Sequence, residues 1–488
     1  MARVERIVFL SLVLDLFAFT IPLPLFPRII EWYTKRESSD ANGFLSRTLG
    51  FVSATRSLFY AASGQHSQKW DVVLLGGMMG SVFSTLQFIV SPIIGSLSDK
   101  YGRKRILLLT MVGNILSAAV WVKSTTFATY MLSRVIGGLS EGNVQLAIAI
   151  LSDITTLDNR SKALAHVGIA FAICFIIGPP IGAYFASRPV ALGQSLGIEL
   201  NVYAAPALLT FVLLVAETVF LLVALPETRG KAAISEKSGV QTNAVHGHMA
   251  NGKTASKTSS RANTVEKRIQ LLRSLQRLHF LFLGVFSGAE FTLTFLTFDL
   301  FDWNNTQNGK LIGSIGIISA LLQGGYVRRS LTRVGELNMA RHGVLSCALG
   351  LVALSALSSA APHTAFRLLQ LAAVCLAFTS ATVVNSLTAH ASLQCDEGVD
   401  ADSGKPTEAV PALAKGKALG KFRSAGQLGR AIGPLLACGA YWTFGPAKTY
   451  ATLSIVSEHR LYKLLVSLLE TCLGYLRFPI NKGLGIMF

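Results

Sequence analysis

The chain has 488 residues, of which 51% are hydrophobic and only 14% are charged, and its mean hydropathy is +0.49. Because a soluble domain carries about 25% charged residues, this composition excludes a soluble enzyme or a disordered chain and indicates a polytopic membrane protein. The net charge is +18, from 44 basic and 26 acidic residues. Such an excess fits nucleic-acid binding, contact with anionic lipid or membrane topology, and the placement of the charges decides between them.

Apolar runs long enough to cross a bilayer as helices, about 20 residues each, recur along the whole chain. The first run contains Asp15 and three prolines and lacks a small-residue cleavage pattern, so we expect a retained helix and not a signal peptide. The eleven predicted spans lie at about 7–27, 72–97, 106–122, 127–150, 163–186, 202–225, 278–300, 309–327, 342–360, 365–391 and 424–445.

A polar stretch at 226–277 has the composition of a flexible, basic, cytosolic linker. It divides the chain into an N-terminal six-helix bundle, 1–225, and a C-terminal helical bundle, 278–488. The apolar part of the C-terminal tail is short and contains Glu470, so we expect the last helix to be degenerate or missing.

The two halves share a local sequence. Lys-Ala-Leu at 162–164 precedes Gly178 and Pro179, and Lys-Ala-Leu at 417–419 precedes Gly433 and Pro434 at the same spacing. Chance matching of small residues is one explanation, but an internal repeat of a six-helix unit is the interpretation that we favour, and it is typical of several transporter folds. The two Gly-Pro pairs predict bends of the kind that gating helices use, although a kinked structural helix is the ordinary alternative.

The loops agree with a cytosolic N-terminus. With that orientation the cytosolic connections, including 99–105 and 226–277, are strongly basic, while the outer loops are close to balanced or acidic. This is the positive-inside pattern, so the basic excess is interpreted as topology and not as nucleic-acid binding. Asn304, in the sequon Asn304-Asn305-Thr306, falls on the outer side and is a candidate glycosylation site.

The most specific motif lies between the second and third spans, and we interpret it as a gating loop. Gly95 permits close helix approach, Asp99 can cap the N-terminus of the next helix or pair with basic groups, and Gly102 permits a tight turn before Arg103. Membrane anchoring would explain the basic residues alone, but not the full order Gly-Ser-Leu-Ser-Asp-Lys-Tyr-Gly-Arg-Lys-Arg at 95–105.

This segment resembles the signature loop of the major facilitator superfamily. Three further motifs agree, and they are Arg134-x-x-Gly137, Gly178-Pro179-x-x-Gly182 and Leu225-Pro226-Glu227-Thr228. The resemblance covers residues 5 to about 445. It implies an all-α polytopic membrane fold of two six-helix bundles around a central site near the bilayer midplane.

Within that superfamily, the stretches 14–20, 134–138, 286–290 and 433–434 resemble the drug/proton antiporters and most closely the animal tetracycline transporter-like group. This narrower resemblance implies export of amphipathic organic anions. The chain departs from the antiporter motif at Cys174, where that motif usually carries glycine, and at Ala183.

Charged residues inside the predicted spans are functional candidates, because a charge at mid-bilayer costs about 2.5–3.5 kcal/mol on insertion scales. Asp15 and Arg134 lie at comparable predicted depth, so we expect an ion pair that breaks when Asp15 is protonated, or equally a permanent structural pair. Glu290 and Glu217 are further candidates for proton coupling, with the resemblance also pointing to Glu290. For Glu217 we favour snorkelling or a bond to Thr218.

Uncharged polar residues within spans include Gln87, Asn143 and Asn385, which are candidate substrate contacts. Hydrogen bonds between helices explain each of them at least as well. No CxxC pair or His-spaced cluster indicates a metal, and no cofactor is expected. An enzyme is not expected either, because no HExxH motif or phosphate-cradling loop is present.

The leading hypothesis is a secondary active transporter of organic anions or amphipathic drugs, working by proton-coupled alternating access. Arg134 would attract the anion, and Asp15 or Glu290 would carry the proton. The alternatives are a uniporter of a neutral or cationic solute and a non-transporting receptor or scaffold. We expect a monomer in the plasma membrane or an intracellular membrane, with its N-terminus in the cytosol. Its expected partners are a small-molecule substrate, protons and membrane lipid, and not nucleic acid.

Overall fold

A computed structural model describes residues 3–22, 25–37, 39–40, 42–59, 69–186, 203–229, 254–303, 305–395 and 410–468. Within these ranges the chain is helical, without a strand. Nine of the described helices are long and apolar enough to cross a membrane by length and composition. The prediction of an all-α multi-pass membrane protein is therefore confirmed.

The first half contains six predicted spans and two additional helices, α2 and α3, after the first span. Its helices are α1 Arg3–Thr20, α2 Phe26–Arg36, α3 Phe44–Phe59, α4 Lys69–Tyr101, α5 Arg103–Val122, α6 Phe127–Ser140, α7 Asn143–Ile154, α8 Leu157–Ala186 and α9 Ala204–Ala224. The fourth span is broken into α6 and α7. Glu141 takes an extended conformation at the break, and Gly142 precedes α7.

The second half repeats this arrangement of long helices. Its α-helices are α10 Thr254–Phe301, α11 Asn305–Leu321, α12 Arg328–Val334, α13 Glu336–Ala356, α14 Pro362–Leu393, α15 Lys415–Phe444 and α16 Pro446–Ile455. A π-helical segment, Leu322–Val327, joins α11 to α12, and another, Val456–Tyr462, continues α16.

The helix of the seventh span begins before its apolar run. α10 starts at Thr254, so the boundary predicted between 277 and 278 lies inside this helix. The stretch 254–277 is polar overall, but Val265, Ile269, Leu272 and Leu275 recur at helical spacing, and the segment continues the helix that follows it. Residues 230–253 of the predicted linker lie outside the described part of the chain.

A helix also follows α15, where a degenerate or missing span was expected. Tyr450 of α16 is buried, and its hydroxyl bonds the Thr292 hydroxyl of α10 at 3.0 Å. The charged residues that obscured this helix in the sequence, such as Glu458 and Arg460, are exposed. That α16 and its continuation cross the membrane stays a prediction.

The Gly-Pro pairs occupy corresponding positions in the two halves. Both prolines lie inside continuous helices, Pro179 in α8 and Pro434 in α15. A Cβ on Gly178 would collide with Thr20 of α1, and one on Gly433 would collide with the Gly284 carbonyl of α10. The fifth span thus packs closely on the first, and the eleventh packs in the same way on the seventh. This correspondence supports the internal repeat.

Candidate functional site

The two halves touch where α4 meets the start of α15. A Cβ on Gly95 would collide with the backbone carbonyl of Gly416, so the two helix backbones are in direct contact. The Asp99 carboxylate accepts hydrogen bonds from the backbone N–H of Gly416 at 2.9 Å and of Lys417 at 2.7 Å. A carboxylate at a helix N-terminus satisfies unpaired N–H groups and faces the positive end of the helix dipole. The prediction that Asp99 caps the next helix is therefore wrong, because it caps α15 of the other half, which only the folded chain brings to it.

Arg103 connects this contact to the end of the fourth span. It is only 3% exposed, and its guanidinium binds Asp99 at 2.7 Å and Asp153 at 2.8 Å. Asp153 also binds the Lys415 ammonium of α15 at 3.3 Å, and Lys415 donates to the Ser152 carbonyl at 3.0 Å. Because removing one member of a buried ion network leaves the others uncompensated, loss of any one of these side chains is expected to weaken the contact between the halves.

Gly102 and Glu227 fix the turn before α5. Gly102 has φ +103°, a conformation that favours glycine, and a Cβ there would collide with the Glu227 carboxylate. That carboxylate accepts the N–H of Arg103 at 2.8 Å and of Lys104 at 3.1 Å. Partial burial acts to raise the pKa of Glu227, but hydrogen bonds from the backbone N–H of Arg229, Arg103, Lys104 and Thr228 outweigh it and lower the pKa.

A second polar contact joins α8 to the other half. Arg160 donates to the Ser392 carbonyl of α14 at 3.2 Å, and Ser161 donates to the Glu336 carboxylate of α13 at 2.6 Å. Together with the α4–α15 contact, these bonds close one end of the molecule. We call this the closed end, and it comprises residues 95–103, 152–161, 336, 392 and 415–417.

Asp15 lies deeper in the bundle and is 4% exposed. Its carboxylate accepts a 2.6 Å hydrogen bond from the Asn143 amide, at the first residue of α7. The Asn143 carbonyl oxygen in turn accepts a 3.2 Å bond from the Thr110 hydroxyl of α5. The break in the fourth span thus places an amide against Asp15. This is a hydrogen bond between helices, the alternative given for Asn143 in the sequence, and its contact with a substrate stays a prediction.

The predicted ion pair between Asp15 and Arg134 is not formed. The Arg134 guanidinium lies over the rings of Trp121 at 5.4 Å and Tyr130 at 5.5 Å. Asn143, the partner of Asp15, follows Arg134 by nine residues, which is about 13 Å along a helix. The two charges were assigned comparable depth because each lies well inside an apolar run, but Arg134 lies before the break in the fourth span, and the partner of Asp15 lies after it.

The cation near Asp15 is Arg423 of α15, on the other half of the molecule. Arg423 interacts electrostatically with Asp15 and with Glu141, the residue at the helix break. Arg423 is not among the residues predicted from the sequence, because the apolar run begins at 424 and Arg423 was therefore assigned to the preceding loop. Its spacing from Gln427 and Arg430 was the available signal, because residues four and seven apart share one face of a helix. We call Asp15, Glu141, Asn143 and Arg423 the central cluster.

Glu217 lies beside this cluster in α9 and is completely buried. Its Oε1 accepts a 2.7 Å bond from the Ser11 hydroxyl of α1, one turn before Asp15. Its Oε2 has no hydrogen-bond partner in the described part of the chain. The expected snorkelling or bond to Thr218 is wrong, because Glu217 faces α1 while the Thr218 hydroxyl bonds its own helix at the Leu214 carbonyl.

Three other predicted site residues, Glu290, Gln87 and Asn385, lie on α10, α4 and α14. Glu290 of α10 interacts electrostatically with Arg430, not with Asp15. Gln87 is buried in α4, and the Asn385 amide bonds the Ala381 carbonyl of its own helix at 3.1 Å. Asn304 lies outside the described residues. No group of three or more metal-binding side chains occurs among the described residues.

The sequence matches the family model of the Major Facilitator Superfamily over residues 8–434. Major facilitator superfamily domain-containing protein 10 of Mus musculus is 34% identical over 448 residues, covering 91% of this chain and 88% of that protein. The Bos taurus protein of the same name is 35% identical over 453 residues, covering 92% and 89%. The tetracycline resistance protein, class H, of Pasteurella multocida is 36% identical over 106 residues, or 22% of this chain and 26% of that protein.

Solved structures of the same superfamily have a similar fold. The crystal structure of the human organic anion transporter MFSD10 (TETRAN) superimposes with a TM-score of 0.73 at 29% identity, covering 95% of this chain and 99% of that one. The outward conformation of FucP gives a TM-score of 0.59 at 12% identity, covering 96% and 99%. The chain therefore belongs to the Major Facilitator Superfamily, with its all-α fold, and it is a multi-pass membrane transport protein and not an enzyme.

Proposed function

We propose that this protein is a secondary active transporter that moves organic anions or amphipathic drugs by proton-coupled alternating access. The observation that carries the proposal is the central cluster, in which carboxylates of the first half face Arg423 of the second half. The human transporter with the similar fold is described as an organic anion transporter, which supports the same substrate class here.

The cluster offers a way to couple a proton to an anion. Buried ions are stabilised mainly by their partners, because the surrounding medium screens little. Protonation of Asp15 removes a negative charge that faces Arg423, and the guanidinium is then available to an anionic substrate. The same protonation weakens the attraction between the halves, so occupancy of the site and movement of the bundles depend on each other.

Arg423 takes the role that was expected of Arg134. Arg134 lies on two aromatic rings within its own half, an arrangement that stabilises helix packing. Arg423 and Arg430 lie two helical turns apart on one face of α15, and Arg430 interacts with Glu290 of α10. Two cations at this spacing suit an anion of drug size. Glu217 and Glu290 are proposed as additional proton carriers, and Gln87 and Asn385 stay proposals as substrate contacts.

The closed end supplies the gate. Asp99 at the N-terminus of α15 and the ion pair between Asp153 and Lys415 must separate before the site opens at this end. The basic loops of the predicted topology support a cytosolic position for this end. The gating role of Gly95, Asp99, Gly102 and Arg103 follows from their position in this contact.

Flux into liposomes tests the proposal. Purified protein is reconstituted, a fluorescent organic anion is added, and uptake is followed with and without an imposed pH gradient against empty liposomes. We expect uptake above the empty control that rises several-fold when the gradient is imposed. Uptake equal to the empty control would favour a receptor or scaffold. Gradient-independent flux of a cation would favour uniport, an alternative suggested by the three carboxyls Asp15, Glu141 and Glu217.

A further inference from the structure

A second candidate binding site lies on the outer surface of the bundle, near the closed end. A groove of about 360 Å³ opens between α4, α10 and α15. The basic side chains that line the groove are Arg273, Arg277 and Lys421. Its apolar floor is formed by Phe88, Phe280 and Leu428.

The groove faces away from the central cluster. Lys421, Ala425 and Leu428 recur at the spacing of one helical face, and the exposed Ile432 continues that face along α15. Arg423 follows Lys421 by two residues, which is about 200° around the helix axis. The groove is therefore on the face that meets the surrounding lipid, and not on the face that carries the transport site.

Its depth matches the headgroup region of a bilayer. Arg277 precedes the end of α10 at Phe301 by 24 residues, or about 36 Å along the helix, while the hydrocarbon core is about 30 Å thick. Arg273 and Arg277 thus lie at the level of lipid phosphates, and Phe280, almost one turn further into the bilayer, lies where acyl chains begin.

The three basic side chains carry uncompensated charge. Arg273, Arg277 and Lys421 are exposed, and none of them forms an ion pair with a carboxylate in the part of the chain that the structure describes. A free inorganic anion would neutralise them but would leave the apolar floor uncovered. A lipid with a negatively charged head satisfies both parts of the groove, since its phosphate pairs with the cations and its acyl chain covers the phenylalanines.

We propose that this groove is a binding site for an anionic glycerophospholipid, such as phosphatidylserine, from the leaflet at the closed end. The floor is shared between the two halves, because Phe88 belongs to α4 and the remaining residues to α10 and α15. Ser424 of α15 donates a 2.6 Å bond to the Phe88 carbonyl at this position. A bound lipid contacts both halves and favours the conformation in which the closed end is closed.

Lipid titration of the detergent-purified full chain tests the proposal. Phosphatidylserine and phosphatidylcholine are titrated separately, and bound lipid is counted by native mass spectrometry. The double variant Arg273→Gln/Arg277→Gln is compared with Arg329→Gln/Arg333→Gln, which removes two exposed arginines at the same spacing from α12. We expect phosphatidylserine to bind about 30-fold more weakly to the first variant, or ~2 kcal/mol at ~1 kcal/mol per basic residue. The second variant should bind like the unmodified chain.

Several outcomes would contradict the proposed lipid site. Equal losses in both double variants, or no loss in either, would show diffuse attraction to basic residues and no groove. Displacement of the lipid by millimolar inorganic phosphate would show that a free anion is the ligand. If the first variant does not fold, the variant Lys421→Gln, on a different helix, tests the site instead. We expect its affinity for phosphatidylserine to fall about fivefold. The assay involves no transport, so its result is independent of the proposed function.

Discussion

The Asn143 amide donates a 2.6 Å hydrogen bond to the Asp15 carboxylate and so joins the first span to the break in the fourth. The break frees α7 to begin at Asn143, and Glu141 just before it interacts with Arg423 from the other half. The carboxylate and the amide are thus in direct contact, and a guanidinium from a third span, that of Arg423, interacts electrostatically with both Asp15 and Glu141.

Asp15→Asn should separate transport from proton coupling. The asparagine keeps a carbonyl acceptor for the Asn143 amide but cannot exchange a proton. We expect gradient-driven anion uptake to fall at least about tenfold, while exchange of labelled for unlabelled anion without a gradient persists. Glu458→Gln, at an exposed carboxylate, is the matched control and should leave both activities unchanged. Equal loss of uptake and exchange would assign Asp15 a purely structural role.

Arg423→Gln should weaken anion binding. Losing a charge-assisted hydrogen bond costs about 1.5–3 kcal/mol, so the KM for an organic anion should rise at least about tenfold, and Arg423→Lys should restore part of the affinity. Arg134→Gln is the comparison, because it removes a guanidinium that lies on aromatic rings. It should lower the melting temperature and leave KM nearly unchanged. The reverse pattern, with KM raised only by Arg134→Gln, would return the anion site to the first half.

Gly95→Ala should open the closed end. The new methyl group collides with the Gly416 carbonyl and forces α4 away from α15, at a cost of about 1–3 kcal/mol for overpacking. We expect a lower melting temperature and faster labelling of a cysteine introduced at Ser98. Gly80→Ala, in the same helix with no atom within 4 Å of the new Cβ, should be neutral or slightly stabilising. Equal destabilisation by both changes would argue against a specific contact at Gly95.

Glu227 should make stability depend on pH in the acidic range. Its pKa in the folded protein lies below the ordinary value of 4.5, so its contribution is fully present above pH 4.5 and is lost as the pH falls through the lower folded value. Glu227→Gln should therefore reduce the melting temperature at pH 7, and the difference from the unmodified protein should shrink below pH 4.5. Glu266→Gln, at an exposed carboxylate, should show no such convergence.

The sequence predicted the helical elements and the local turns well. Gly102 occupies the tight turn expected of it, and Asp99 caps a helix N-terminus. Contacts between distant residues could not be predicted in the same way. Residues 99 and 416 are far apart in the sequence and come together only when the chain folds. The local sequence therefore could not predict that Asp99 caps α15 and not the next helix.

The predicted ion pair failed for a related reason. Apolar periodicity assigns a residue to a span but does not fix its depth, and so Arg134 was matched to Asp15. Arg423 was missed because polar residues at 415–423 hide the start of α15, whose helix is stabilised by its packing on α4 and α10. Both errors concern charged residues. Because charged residues lower the hydropathy of the helices that contain them, the apolar pattern is weakest where the candidate site lies.

Proton movement driven by an anion gradient is the most direct test of coupling at Asp15. Liposomes containing the protein and an internal pH dye receive an organic anion outside, with no initial pH difference. We expect a pH change inside the liposomes that follows anion entry in the unmodified protein and is absent in Asp15→Asn. Anion entry without any pH change, or an equal pH change in Asp15→Asn, would contradict it.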